Sequence, residues 1–200
     1  MEHGVAGSRD PLIVTADGEI ELRHASTADC DALYAVIDRN RARLREWLPW
    51  LVPGFDRNSL FTFLQDRERD NAARVSLTTN IWMKGELCGA IGLHSINQRD
   101  RSTSVGYWLD ARYSGRGVMT RACRAIVTEG FRNYGLHRIE IRCAVGNERS
   151  CDVPRRLGFV EEGILRETEW LYDRWVDLRV FSMLEREWPG ARDSSKSRVS

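Results

Sequence analysis

Residues 107–122 read YWLDARYSGRGVMTRA: a strand-like run, a loop with glycines at 115 and 117, and the opening of a helix. Aromatic and aliphatic residues at 107–109 suit a pleated strand. Past Gly117 the period changes. Val118, Ala122, Ile126, Phe131 and Tyr134 fall on one broad helical face, and Gly135 stands where such a helix would end. Gly115 and Gly117 let backbone N–H groups converge without obstruction by side chains. The helix that follows adds unsatisfied N–H groups and the positive end of its dipole. This is the local chemistry of a pyrophosphate cradle, to which Arg112 and Arg116 would add charge-assisted contacts. Many strand-to-helix turns share this spacing, so the segment alone leaves phosphate binding and a plain turn both open.

Upstream, residues 75–83, 87–96 and 103–109 alternate in strand fashion. The first two join at Lys84-Gly85, a tight-turn signal, which predicts an antiparallel meander. Earlier still, 19–23 (EIELR) reads as a short strand. Ser26-Thr27-Ala28-Asp29 then offers a capping box ahead of Cys30, Leu33 and Ile37. A Trp/Pro-rich break at 47–54 (WLPWLVPG) precedes a second helix over about 59–72. Downstream, Ile139, Ile141, Cys143 and Val145 mark a strand and 147–156 a short helix. Two strands, 159–166 and 175–184, follow, separated by 167–174. The sum is an α+β chain whose mixed, mostly antiparallel sheet has about seven strands, flanked by about four helices. One domain is expected over 19–188. The Gly-, Ser- and charge-rich ends, 1–18 and 189–200, are expected as tails.

Two hundred residues, 42% hydrophobic and 30% charged, suffice for one full apolar core. The 30 basic and 29 acidic residues are scattered and nearly cancel to +1, which argues against binding driven by neutralisation of nucleic-acid phosphates. Five cysteines, without a C-x-x-C pair, read as reduced core thiols. His3, His24, His94 and His137 lack ligand spacing, so no metal is expected, and His94 on its strand reads as packed rather than catalytic. No apolar run approaches the roughly 18 to 20 residues of a bilayer span, so a soluble, cytoplasmic protein without membrane contact is expected.

Arg112-Tyr113-Ser114-Gly115-Arg116-Gly117 resembles the R/Q-x-x-G-x-G/A acyl-CoA signature of the GNAT acyltransferase superfamily, with the strand before it and helix after it in place. Asn147-Glu148-Arg149-Ser150, followed by Leu157-Gly158-Phe159, resembles that family's second signature. The segments 21–23, 45–50, 106–110 and 161–163 are similar to the RimJ/RimL branch, whose best-known members acetylate N-terminal amines of ribosomal proteins. The resemblance spans roughly 19–187. It implies that Tyr107, Trp108 and Leu109 pair with the pantetheine arm. The loop Arg112, Tyr113, Ser114, Gly115, Arg116, Gly117, Val118 and Met119 would hold the pyrophosphate, with Thr120 nearby and Asn147 beside the pantetheine. The thioester would lie where two central strands splay. The resemblance also implies a homodimer.

Acyl transfer needs a neutral amine, a stabilised oxyanion and a proton for the departing thiolate. By resemblance Glu169 stands where a base acts through water, with Glu167 its nearest rival. An exposed carboxylate paired with an arginine is the plainer reading of Glu169. Ser150 stands where the acid acts, and a local helix hydrogen bond is its plainer reading. The superfamily's frequent tyrosine seven residues after the Asn is here Pro154, which cannot donate to the carbonyl of Ser150 and would kink that turn. Trp47, Trp50 and Phe55 read as core or interface, with an acceptor pocket as the alternative.

The leading expectation is an N-acetyltransferase that uses acetyl-CoA on a protein N-terminal amine. The alternatives are acetyl or succinyl transfer, the latter from succinyl-CoA, to a small amine such as an antibiotic or polyamine, and a non-catalytic acyl-CoA sensor.

Overall fold

A computed structural model describes residues 12–15, 17–189 and 191. Strands β1 (Ile13–Val14) and β2 (Ile20–His24) lead into α1 (Cys30–Arg39), the short α2 (Arg41–Arg45) and α3 (Arg57–Ala72). Strands β3 (Leu77–Met83), β4 (Glu86–Asn97) and β5 (Ser102–Leu109) follow. Then come α4 (Val118–Asn133), β6 (Arg138–Ala144), α5 (Glu148–Arg156), β7 (Val160–Leu171) and β8 (Arg174–Leu184). The sheet order is β1-β2-β3-β4-β5-β6-β8-β7, antiparallel except between β5 and β6. A parallel pair needs a crossover, which α4 supplies. Among the described residues this makes eight strands where about seven were expected, the extra one being β1, and five helices where about four were expected, counting α2.

The β3–β4 turn has positive φ at both Lys84 and Gly85, the geometry that matches strand twist in a two-residue hairpin. Helix α4 packs Val118, Ala122, Ile126 and Phe131 on one face of the sheet, while Leu33, Ile37, Leu60 and Leu64 from α1 and α3 cover the other. The sheet is thus buried on both sides through its centre, and all five cysteines are free and buried within the two layers.

Three expectations change. The capping box at Ser26 does not close. Ser26 Oγ accepts from the Ala28 amide at 3.3 Å, but Asp29 turns to the sheet, where its Oδ2 accepts from Asn80 Nδ2 at 3.0 Å, and α1 begins only at Cys30. The expected break over 167–174 is mostly strand: β7 runs on to Leu171 across a bulge between Leu165 and Glu169, with Glu167 at φ 46°. Of the expected N-terminal tail, Ile13 and Val14 pair with Leu22 and Glu21, while residues 1–11 lie outside the described residues. At the other end Trp188 and Ala191 are buried, and 192–200 also lie outside them.

Candidate active site

Pairing between β5 and β6 stops at Val105 and Ile141. Beyond that point Gly106 to Leu109 stay paired with β4, and Arg142 to Ala144 stay paired with β8. The two strands therefore part, and the backbone edge of Tyr107, Trp108 and Leu109 is left facing a gap. Tyr107 bridges this gap: its hydroxyl donates to the Ser150 carbonyl at 2.8 Å.

That contact follows from the proline in α5. Position 154 would ordinarily supply the N–H for the Ser150 carbonyl, and proline has none. Tyr107 takes the donor's place from another strand. Ser150 Oγ in turn donates toward Tyr107 Oη at 3.4 Å and lies 3.2 Å from Cys143 Sγ. Burial holds the Tyr107 phenol well above its ordinary value and pushes the Cys143 thiol up to about 12, so both remain protonated at neutral pH. Asn147 caps α5, its side chain accepting from the Ser150 amide at 3.3 Å. The local reading of Ser150 is met at its backbone, which the cap holds, while its hydroxyl lies between Tyr107 and Cys143. Tyr107→Phe should cost about 1–2 kcal/mol, because a buried carbonyl loses its donor. Adding Pro154→Ala, which restores a helical donor, should recover part of that loss in a denaturation double-mutant cycle.

Beyond Leu109 the loop is anchored by Asp110, 1% exposed. It accepts from Arg39, Asn40, the Arg112 amide and Arg112 Nε. Gly115 and Gly117 have φ of 76° and 70°, and an added Cβ at either would meet nothing within 4 Å, so the concavity in front of them is open. Among the described residues the amides of 115–120 meet no protein acceptor outside α4, and the first turn of a helix offers none within it. Arg112 spends Nε on Asp110 and lies 57% exposed, with Arg116 also exposed beside it. Val118 and Met119 are buried and contribute through their amides alone. Ser114 is exposed and Thr120 half-buried, while the Tyr113 hydroxyl donates to Glu86. Open amides, positive-φ glycines, a helix N-terminus and free guanidinium nitrogens are the donor set a pyrophosphate requires. Arg43, whose charge is disfavoured first by burial and then by the like charge of Arg149, donates to the Leu109 carbonyl and adds to the positive rim.

Behind the gap lies a cavity of about 640 Å³. Tyr107, Trp108, Asn147, Ser150 and Glu169 all line it. Trp47, Trp50 and Phe55 also line it, and Phe55 packs against the α1/α3 core as well, so core packing and pocket lining meet in this segment. Glu169 is half-buried, and among the described residues no arginine pairs with it; burial alone raises its carboxyl above the usual range. Glu167 lies in the bulge beside a separate shallow recess, with Arg166 and Asp177. The cavity thus gathers five of the expected site residues, and the loop from Arg112 to Thr120 continues the same strand outward. Arg142 and Thr168 enter the cavity without sequence warning, because nothing in their spacing relates β6 and β7, and His94, expected as a packed residue, also lines it. Among the described residues no group of three or more His, Cys, Asp or Glu side chains could hold a metal, and no described helix is long and apolar enough to cross a membrane.

The acetyltransferase (GNAT) domain model matches residues 19–160. The chain belongs to the GNAT acetyltransferase family. This acetyltransferase is 35% identical to YdaF of Bacillus subtilis over 86% of this chain and 95% of that one. It is 27% identical to the ribosomal-protein-serine acetyltransferase of Escherichia coli, over 82% of this chain and 92% of the relative. Among solved structures, the microcin C7 self immunity acetyltransferase MccE, in complex with acetyl-CoA and AMP, superposes with a TM-score of 0.79 at 26% identity, covering 83% of this chain and 92% of that one. The fold is the GNAT fold, as the sequence reading expected.

Proposed function

We propose that this acetyltransferase carries an acetyl group from acetyl-CoA to the N-terminal amine of a protein such as a ribosomal protein, by direct attack in a ternary complex. The observation that carries the reading is the gap between β5 and β6, which opens into one cavity holding both Glu169 and Ser150. The similarity to the ribosomal-protein-serine acetyltransferase supports a protein acceptor.

In this mechanism the amides of 115–120, with Arg112 and Arg116, hold the pyrophosphate, and the exposed edge of Tyr107 to Leu109 receives the pantetheine beside Asn147. Glu169, through a water, takes the proton that the amine loses as its nitrogen bonds to the acyl carbon. Backbone N–H groups near Trp108 and Leu109 stabilise the oxyanion that develops. As the C–S bond breaks, the Ser150 hydroxyl gives its proton to sulfur, and solvent returns one to it once the products leave. The similarity to the ribosomal-protein-serine acetyltransferase and to a solved acetyltransferase holding acetyl-CoA supports acetyl as the donor group. The protein acts in the cytoplasm as a homodimer.

CoA-thiol release with acetyl-CoA and succinyl-CoA, against N-terminal peptides, polyamines and aminoglycosides, tests the reading. Acceptor-dependent release with acetyl-CoA and peptides is expected. Tight CoA binding with no acceptor-dependent release from any of these would favour a sensor. Gly117→Val should weaken CoA binding about tenfold or more in calorimetry, because a β-branched residue resists φ of 70° and its side chain covers the open amides.

A further inference from the structure

Two strands across the sheet from the gap, the same cavity has a second set of polar atoms. Thr78 and Asn80 on β3 line it, 5% and 0% exposed, yet among the described residues Thr78 Oγ1 and Asn80 Oδ1 have no hydrogen-bond partner. Buried polar groups in folded proteins are almost always paired, so two orphans on one wall call for a reason. Which atoms are left over is determined by their neighbours. Asp29 Oδ2 can only accept from Asn80 Nδ2, which fixes the amide so that its carbonyl oxygen is the spare one. The backbone N–H and carbonyl of Thr78 are both engaged by Asn71, at 2.7 and 2.9 Å, leaving the hydroxyl.

The residues opposite Thr78 and Asn80 are Gly92 and Ala90, which carry too little side chain to reach either atom. The next partners are Gly106 and Trp108 on β5. At about 4.8 Å per strand, the orphans sit roughly 10 Å from the diverging edge. The His94 ring lies over the two glycines: a Cβ on Gly106 would meet its Nε2 at 2.9 Å, and one on Gly92 its Cε1 at 3.1 Å. This imidazole forms the wall between the orphan pair and the gap. Burial first, and the charge of Arg67 second, lower its pKa, so it stands there neutral.

These surroundings select the ligand's chemistry. Leu33, Ile37 and Leu64 are apolar neighbours in the same cavity, and burial among them disfavours a charged group. Asn80 Oδ1, an acceptor only, opposes a carboxylate. A neutral donor satisfies it, and a hydroxyl can also accept from Thr78.

We propose that Thr78 and Asn80 form a subsite for a neutral hydrogen-bond donor, a hydroxyl or carboxamide, carried by the acceptor at some remove from the reacting amine. This rests on the acceptor reading above and adds a specificity to it.

The test compares kcat/KM for peptides that differ by an isosteric pair, Thr against Val or Asn against Leu, at each of the first three positions. 6-Amino-1-hexanol against heptylamine is run in parallel. The wild-type protein should prefer the polar member about tenfold or more at one position. Thr78→Val should bring that ratio toward one while the apolar peptide keeps its rate. Asn80→Leu should do the same, and Thr78→Val stands alone if loss of the Asp29 contact unfolds it. Equal rates at every position, or a ratio unchanged in Thr78→Val, would overturn the subsite. Turnover of amines but of no peptide would fail the protein-acceptor reading alone, and the amine pair would then report the ratio. If nothing turns over, calorimetric binding of the same pairs to the CoA-bound protein reports it, and equal or absent binding overturns the proposal.

Discussion

Glu169→Gln is expected to lower kcat by about 10²- to 10³-fold while leaving CoA affinity within a factor of two. General-base assistance is worth that much, and the substitution keeps the size of the side chain and its place on β7. The loop proposed to hold the pyrophosphate begins at Arg112 on a different element, so a change confined to β7 should leave CoA binding alone. Stopped CoA-thiol release beside calorimetric CoA binding separates the two quantities. A variant that keeps more than a third of wild-type kcat would remove Glu169 from the chemistry and leave the attack to an amine already deprotonated in solution. The same carboxyl fixes a pH signature. Burial raises its pKa, so kcat/KM should rise with pH through that raised value, and the rise should vanish in the variant.

The stability signature runs the other way. A carboxyl whose folded value is raised binds its proton more tightly in the native state than in the unfolded chain. Its contribution to stability is full below the unfolded value, near 4.3, and is lost as pH rises through the folded one. Glu169→Gln should therefore be at least as stable as the wild type at neutral pH. Loss of activity with gain of stability identifies a carboxylate kept for chemistry, whereas an ordinary surface ion pair would show neither.

How far the sequence carries the structure depends on the range of the forces at each place. The glycine loop and the helix after it were legible because φ above zero at 115 and 117 and the apolar stripe from Val118 are local requirements, written in the residues that meet them. The β3–β4 hairpin was legible for the same reason. The cap at Ser26 was misread because Asp29 has a better partner 51 residues away in Asn80, and a local motif cannot anticipate it. The continuation of β7 through Glu167 was hidden because a bulge, with its positive φ on a non-glycine residue, looks like a break in period. Within the site, Glu169 and Ser150 were reached through resemblance to a family, not through spacing. Tyr107 was assigned only its backbone, since the need for its hydroxyl arises from Pro154, 47 positions later and on another layer. His94, Thr78 and Asn80 share a cavity wall only once β3, β4 and β5 are in register.

Asp110→Ala is expected to destabilise the protein by about 3 kcal/mol and to weaken CoA binding at the same time. Asp110 follows the end of β5 and opens the loop proposed to hold the phosphates. Its carboxylate, 1% exposed, gathers Arg39 at 2.6 Å, Asn40 at 3.0 Å and Arg112 at 2.9 Å, while Asn40 Oδ1 accepts from the Ala111 amide at 3.0 Å. Removing one partner of a buried ionic cluster leaves the others desolvated without compensation, which is the costly direction. Arg39 and Arg112 are partly exposed and can turn to water, and this holds the cost to the lower part of the usual range. Burial alone would raise the Asp110 pKa, but hydrogen bonds from Arg39, Asn40 and Arg112 outweigh it and hold the carboxyl far below the usual range. A depressed folded value gives stability that is present above the unfolded value, near 3.9, and lost as pH falls toward the folded one. Denaturant unfolding of wild type and variant should therefore differ most at neutral pH and converge as the solution is acidified below about pH 4. If the gap stays constant down to pH 2, the carboxylate's charge is not what ties α1 to the loop, and packing of the Arg39 stem against its neighbours would have to account for the loss.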